Sequence, residues 1–330
     1  MIHLLLWPFD KLVIALVEKW TRKVARKEAR FIRRASREAG QDTYRIAAPR
    51  LPNEKFLWRK LFDHNPLFVT MSDKIACKEW IKAQGFALPI PQTLWVGTDA
   101  GDIPEDLWKR PIMIKAAHGW QMNIAVEPTA VDRKVVIDQA NDFLRVDHGR
   151  QHMEWAYDHV PRRLLVEERL FPGCDMIDVK YYTFGERIER IVISRFGPQV
   201  VSGRWLLQSD GSYALDDVPT SVSPVIDQKP LPPVVYENMA VIRDIGARFD
   251  HVRVDTMTNG ETLFLGELTV YTQAGRLSVD AFDQFTHMNR SWDLRRSWFL
   301  TAKQTGWRGV YAGALRRTID RRQRAGHGLA

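Results

Sequence analysis

Cysteine is nearly missing from this chain of 330 residues: Cys77 and Cys174 stand alone and far apart. That excludes a disulfide framework and suits a reducing compartment. Long apolar runs are missing too. The opening, residues 1–17, is apolar but broken by Pro8, Asp10 and Lys11. It is too short and interrupted to span a bilayer. Without a basic first stretch or a small-residue cleavage site it is also a poor signal peptide. No internal repeat or low-complexity tract occurs. Positive charge is lacking where a reader of nucleic acid needs it. The net charge is +8, yet residues 1–50 hold 12 Lys/Arg against 5 Asp/Glu and residues 303–330 hold 7 against 1, which leaves −5 between them. A mildly acidic body with two basic ends indicates an attachment device and no nucleic-acid partner.

What remains is an ordinary globular composition, 45% hydrophobic and 27% charged, enough for one two-lobed unit or two domains. Over residues 9–31, Phe9, Leu12, Val13, Leu16, Trp20, Val24 and Phe31 recur at helical spacing, with basic residues between them. Such a helix either docks on the body by its apolar stripe or lies on an anionic membrane, where its basic flanks, Trp7 and Trp20 would serve. The run Arg316, Arg317, Arg321, Arg322, Arg324 either joins that surface or frays as a tail. The expected organisation is a basic helical segment over 1–50, a catalytic region over 51–302 with lobes at about 65–165 and 166–285, and a basic tail over 303–330.

In the middle, strands alternate with helices. Ser72 is placed to cap a helix over 74–84 that Gly85 closes. Strands are predicted at 93–96, 112–116, 123–126, 163–167, 176–184 and 188–195, with a helix over 131–146. A connector holding Pro219, Pro224, Pro230, Pro232 and Pro233 leads to a helix over 235–249 and a hairpin of 251–258 with 263–270. Few clean βαβ units occur, which favours an α+β fold with mixed or antiparallel sheets.

Four features carry chemistry. Lys115 sits in an apolar strand, Pro-Ile-Met-Ile-Lys, where an ammonium must snorkel, pair or serve an anion. The next turn, Ala-Ala-His118-Gly119-Trp120-Gln121-Met122-Asn123, offers backbone N–H groups suited to phosphates, though it is poor in glycine. Leu164-Leu165-Val166-Glu167-Glu168 ends an apolar strand in two carboxylates, in the manner of a nucleotide hinge or of plain strand-end solvation. Finally, Arg253-Val-Asp255, Asn259-Gly260 and Leu265-Gly266-Glu267-Leu268-Thr269 put two carboxylates on adjacent strands. These suffice to hold Mg2+ together with phosphate oxygens, and an arginine beside them suits developing charge. A surface salt-bridge ladder would give the same pattern.

Read together, these stretches resemble the ATP-grasp superfamily, and specifically its teichuronopeptide-biosynthesis (TupA-like) branch, over about two-thirds of the chain. The resemblance rests on Ser72-Asp73-Lys74-Ile-Ala, Ile114-Lys115-Ala-Ala-His118-Gly119, Met122-Asn123, Glu154-Trp155-Ala-Tyr157 and Pro161-Arg162. It continues through Val166-Glu167-Glu168, Asp178-Val-Lys180-Tyr-Tyr-Thr-Phe, Val252-Arg253-Val-Asp255 and Gly266-Glu267-Leu268-Thr269. It implies an α+β ATP-grasp fold, two subdomains gripping ATP. It further implies that Lys74 and Lys115 grip phosphates, as in D-alanine–D-alanine ligase, with His118, Gly119 and Asn123 in the phosphate loop. Glu167, Glu168 and Leu170 would form the adenine hinge and Asp175 would meet the ribose. Lys180 and Arg253 would be catalytic, Arg253 at the acyl phosphate, while Asp255 and Glu267 would hold Mg2+. Two departures stand out. Trp120 and Gln121 replace small residues, which should stiffen the loop, and Thr269 replaces the Asn of the wider superfamily.

The resemblance thus implies an ATP-dependent carboxylate–amine ligase of bacterial cell-surface polysaccharide biosynthesis, cytoplasmic or peripheral on the inner membrane face. Its partners would be ATP, a small-molecule or glycan carboxylate, an amine and an anionic membrane surface. The alternatives are a kinase for a sugar or polyol hydroxyl and a non-catalytic nucleotide-binding partner of a membrane glycan assembly. Strand parity sharpens the metal site. A tight Asn259-Gly260 turn would put Asp255 opposite Phe264, and Asp255 and Glu267 on opposite faces. Pairing Asp255 with Glu267 needs an odd loop or a bulge, yet it sorts Val252, Val254, Leu268 and Val270 onto one face and Arg253, Asp255, Glu267 and Thr269 onto the other. That second register is the expected one.

Overall fold

The computed structural model describes residues 6–38, 40, 44–128, 132–196, 199–219, 225–277 and 288–325. The start of the apolar opening, the helix start expected at 131, and Pro224 lie outside the described residues. In chain order the elements are α1 (Trp7–Val24), α2 (Arg26–Glu38), α3 (Pro52–Phe62), α4 (Pro66–Ser72), α5 (Lys74–Ala83), β1 (Thr93–Gly97), β2 (Ile112–Ala116), β3 (Asn123–Val126), α6 (Arg133–Phe143) and α7 (His148–His152). There follow β4 (Leu164–Glu168), β5 (Ile177–Phe184), β6 (Arg187–Arg195), β7 (Val201–Leu207), β8 (Tyr213–Asp216), α8 (Pro233–Glu237), α9 (Met239–Gly246), β9 (Val252–Thr258), β10 (Leu263–Thr269), α10 (Trp298–Thr301) and α11 (Gly306–Arg324).

The fold is α+β with two antiparallel sheets, ordered β1-β4-β2-β3 and β10-β9-β5-β6-β7-β8. Alternation along the strands decides what faces what. In the smaller sheet Ile112, Ile114, Leu164 and Val166 pack with Val136 and Ala140 of α6, so Lys115 and Glu167 fall on the other face. In the larger sheet Val179, Tyr181, Ile193 and Val254 pack with Ile242 and Ile245 of α9. Its opposite face is polar, and it ends in a second core where Tyr182, Phe184 and Val192 join Trp58 of α3 and Tyr311 of α11.

Three expectations need correction. The helix expected over 9–31 is two helices, α1 and α2, parted at Ala25, which is buried at φ −112° and ψ 40°. The helix expected over 235–249 is likewise split, at Asn238. The basic tail is a 19-residue helix, α11, packed on α1. Asp10 is fully buried there and accepts hydrogen bonds from Arg317 and Arg321 at 2.7 and 2.8 Å. The arginines read as loose charge because the acid that answers them lies 307 residues away in the chain. Other acids of α1 and α2 also turn inward: Glu18 accepts the N–H groups of Ile46 and Ala47 at 2.9 and 2.7 Å, and Glu28 pairs with Arg276.

Candidate active site

The β9–β10 hairpin decides whether its carboxylates can meet. Thr258 pairs with Leu263, Met257 with Phe264 and Thr256 with Leu265. The connection is therefore four residues long, not the two-residue Asn-Gly turn. Asn259 organises it by accepting the N–H groups of Glu261 and Thr262 at 3.1 and 3.3 Å. The register then shifts at Gly266, after which Glu267 pairs with Asp255, Leu268 with Val254 and Thr269 with Arg253. Without that bulge Gly266 would oppose Asp255 and Glu267 would oppose Val254, aimed at the core.

On the polar face Asp255 and Glu267 converge on one hydroxyl. Thr269 Oγ1 lies 3.1 Å from Asp255 Oδ2 and 3.3 Å from Glu267 Oε1. Arg253 donates to Asp255 twice, at 2.6 and 2.5 Å. Despite burial, which works the other way, Asp255 holds the Arg253 pKa above its usual value. Two carboxylates and a hydroxyl are hard oxygen donors and fit a magnesium ion. Among the described residues, no group of three or more acids, histidines or cysteines is placed to hold a metal. Lys180 pairs in register with Asp255 across β5 and β9, and its ammonium bonds Asp178. Burial lowers the Lys180 pKa; Asp255 and Glu267 oppose that, and Arg253 adds to it.

Lys74 opens α5. Its helix is capped by Asp73, which accepts from Ile75 and Ala76 at 2.9 and 3.4 Å and pairs with Arg163 at 2.8 Å. The expected cap, Ser72, instead ends α4. The Lys74 ammonium donates to the Gly119 carbonyl and lies 3.9 Å from Glu267 Oε2. It thus reaches from the turn of the smaller sheet to the acids of the larger one. Burial lowers its pKa against the pull of Glu267. Lys115 pairs with Glu167 Oε2 at 2.6 Å, while Lys78 holds the other oxygen of Glu167. Burial raises the Glu167 pKa, and the two lysines more than reverse it, leaving it below the usual range. With that carboxylate committed to lysines, a hinge at this point would have to use backbone groups. Glu168 is also engaged, by the N–H of Gln92 at 2.7 Å. Leu170 is half-buried and Asp175 is exposed on the β4–β5 connection.

The turn after β2 is held from below. A Cβ at Gly119 would lie 2.2 Å from Met122 Cε and 2.9 Å from His148 Nδ1, so only glycine passes there without displacement. Trp120 packs edge-on against His148 at 4.7 Å and tilts over His152 at 5.2 Å. Gln121 takes a left-handed φ of 58°. His118 is buried, with Nε2 3.2 Å from the Phe143 carbonyl. It faces the end of α6. Asn123 is exposed and pairs in register with Lys115.

Sequence reasoning gave no role to Lys78, Asp73, Arg163, His148 and Glu154, although Asp73 and Glu154 stand in stretches that carry the resemblance. A signal existed for Lys78, which follows Lys74 by four residues and shares its helix face. Glu154 gave none of that kind. It is buried beside Trp120, and burial pushes its pKa up to about 7 against the pull of Lys60 and of Trp120.

The model of a family described as TupA-like ATPgrasp matches residues 54–287. The fold is similar to that of D-alanine–D-alanine ligase from Bacillus anthracis, at 12% identity over 66% of this chain and 66% of that one, with a TM-score of 0.37. The same ligase complexed with ATP aligns at 14% identity over 78% and 69%, TM-score 0.36. The ATP-grasp ligase PsnB complexed with minimal precursor aligns at 11% over 77% and 62%, TM-score 0.34. The chain spans 59–69% of the length of the solved chains it is similar to. No curated protein matches it.

Proposed function

Because the chain belongs to the TupA-like ATP-grasp family, we propose that it binds Mg–ATP and joins a carboxylate to an amine through an acyl phosphate, in the making of a bacterial cell-surface polysaccharide. One observation carries the reading: Lys74 bridges the Gly119 carbonyl and Glu267. A cation between a backbone turn and a pair of acids is what a phosphate chain bound between two sheets requires. Lys115 supplies a second cation, the backbone of 167–170 faces the adenine, and Asp175 meets the ribose. Asp255 and Glu267, with Thr269 beside them, would hold magnesium, which supplies charge neutralisation at phosphate oxygens. Arg253, locked by Asp255, and Lys180 meet the charge that develops as the carboxylate oxygen takes the γ-phosphoryl group. The amine nitrogen then bonds the acyl carbon, the carbon–oxygen bond breaks, and phosphate leaves. ADP and phosphate formed only when a carboxylate and an amine are both present would support the ligase. A phosphorylated product would point to a kinase, and no turnover to a binder. Lys74→Ala and Lys115→Ala should each weaken ATP about ten- to a hundredfold, the worth of a charged hydrogen bond. Calorimetric affinities near wild type in both variants would remove the nucleotide site.

A separate observation favours work at a membrane. While α1 packs on α11 by Asp10 and Val17, its Phe9, Leu12, Leu16 and Trp20 are exposed and run on into Trp307 and Val310 of α11. The Trp20 and Trp307 rings lie 5.8 Å apart. Lys11, Lys19 and Lys23 of α1 and Arg26, Lys27 and Arg30 of α2 are exposed, while Asp10 and Glu28 are buried. Exposed apolar residues and tryptophan on a helix rich in exposed cations match an anionic lipid surface. Among the described residues no helix is long and apolar enough to cross a membrane. Vesicles of phosphatidylglycerol should sediment the protein and neutral phosphatidylcholine vesicles should not, with binding weakened by salt. Leu16→Asp with Trp20→Ser should abolish sedimentation and leave ATP affinity intact. Equal binding to both vesicles, or none, would overturn this placement.

A further inference from the structure

The polar face of the larger sheet is ordered in cross-strand rows. One row runs Thr269, Arg253, Tyr182, Arg190; the next runs Asp255, Lys180, Val192, Arg204, each residue in register with its neighbour. Three of the four cations have acids: Arg253 has Asp255, Lys180 has Asp178, and Arg204 has Asp216 at 3.2 Å. Arg190 has none. It is 8% exposed, its Nε is buried without a hydrogen-bond partner, and its guanidinium lies 5.1 Å from the centre of the Tyr182 ring. No acid pairs with it among the described residues. The Arg253 guanidinium lies 5.9 Å from the same ring. Burial disfavours the charge on Arg190; Tyr182 and, less, Asp216 oppose that, while Arg204 and Arg253 add to it. A buried cation without an ion pair of its own, sharing only the distant pull of an Asp216 already paired with Arg204, is costly to the fold alone. An anion brought by a ligand removes that cost. Arg190 stands two strand spacings from Arg253, roughly 10 Å.

We infer that Arg190 binds a second anionic group, carboxylate or phosphate, on the substrate whose first carboxylate is activated beside Arg253. The substrate is then a polyanion: an acidic oligosaccharide, or a sugar acid carried on a diphosphate. The identity of the reacting group rests on the ligase reading, but the anion site is measurable without turnover. Calorimetry on the full chain, saturated with a non-hydrolysable ATP analogue, takes three probes: galacturonate, trigalacturonate and UDP-galacturonate. Wild type should bind one of the larger probes more tightly than galacturonate, and which one gains identifies the source of the second anion. Arg190→Gln should lose that gain, at least about tenfold, while galacturonate and the ATP analogue stay within about twofold and Arg190→Lys recovers part of it. The inference fails if wild type binds the three probes alike or binds none of them. It fails if Arg190→Gln matches wild type, or if it loses the ATP analogue and galacturonate as well, which marks a structural role. Selective loss in Arg190→Gln without ADP release by wild type keeps the anion site and removes the ligase. ADP release with unchanged probe binding in the variant does the reverse.

Discussion

A single carboxylate, Glu167, fixes both Lys78 and Lys115, so replacing it disturbs two cations together. Glu167→Gln should lower stability by about 3–5 kcal/mol, the cost of stripping one partner from a buried ion pair, and should weaken ATP through Lys115. The sign with pH follows. Its pKa lies below the usual carboxylate range, so its contribution is full above that range and is lost as pH falls through the depressed value. Thermal unfolding in acid should therefore fall less steeply in the variant. His148 acts at higher pH. Burial first, then His152, Lys74 and His118, push its pKa down from 6.5 to about 4. It folds neutral, so stability is complete above 6.5 and drains away as pH falls toward 4. His148→Gln should flatten the unfolding profile over that window, and an unchanged profile would count against the assignment. Lys115, Asp255 and Glu267 stood out in the sequence one by one, because charges in or beside apolar strands need a purpose, whereas Lys74 entered only through the family resemblance. Arg190, His148 and Glu154 were given no role, since their meaning lies in residues that only the fold brings beside them.

At the scale of elements, Asp73 joins cap and site. It starts the helix that carries Lys74 and Lys78, and Arg163 anchors it. Asp73→Ala should cost about 1–2 kcal/mol for the lost cap and raise the ATP dissociation constant, whereas Asp73→Asn should keep most of the cap. Equal ATP affinity in both would separate the cap from the site. The strand periods were readable nearly to their ends, and sorting polar from apolar residues gave the Asp255–Glu267 register against a strong local turn signal. The bulge at Gly266 was not located, because a bulge is a decision of the pair and not of one strand. β7 and β8 were missed for a related reason: Gly203 and Arg204 interrupt the alternation, and Arg204 is buried only because Asp216 arrives beside it.

For the whole molecule, the joint between α1 and α11 is the feature that local patterns concealed. Burial raises the Asp10 pKa, and its bonds from Arg317 and Arg321 more than offset that, leaving it below the usual range. Asp10→Ala should lower stability by about 1.5–3 kcal/mol for each charged bond lost and loosen α11, which limited proteolysis would report. Cutting within α11 at wild-type rates in the variant would show that the joint holds by its apolar contacts alone. The joint also imposes a schedule. Asp10 leaves the ribosome 307 residues before Arg317, a wait of roughly 15–60 s at ordinary elongation rates. During that time α1 has neither its counter-ions nor its packing partner, and its apolar and basic faces are both open. Whatever meets α1 first in that interval, a chaperone or a lipid surface, does so before the body of the protein is complete.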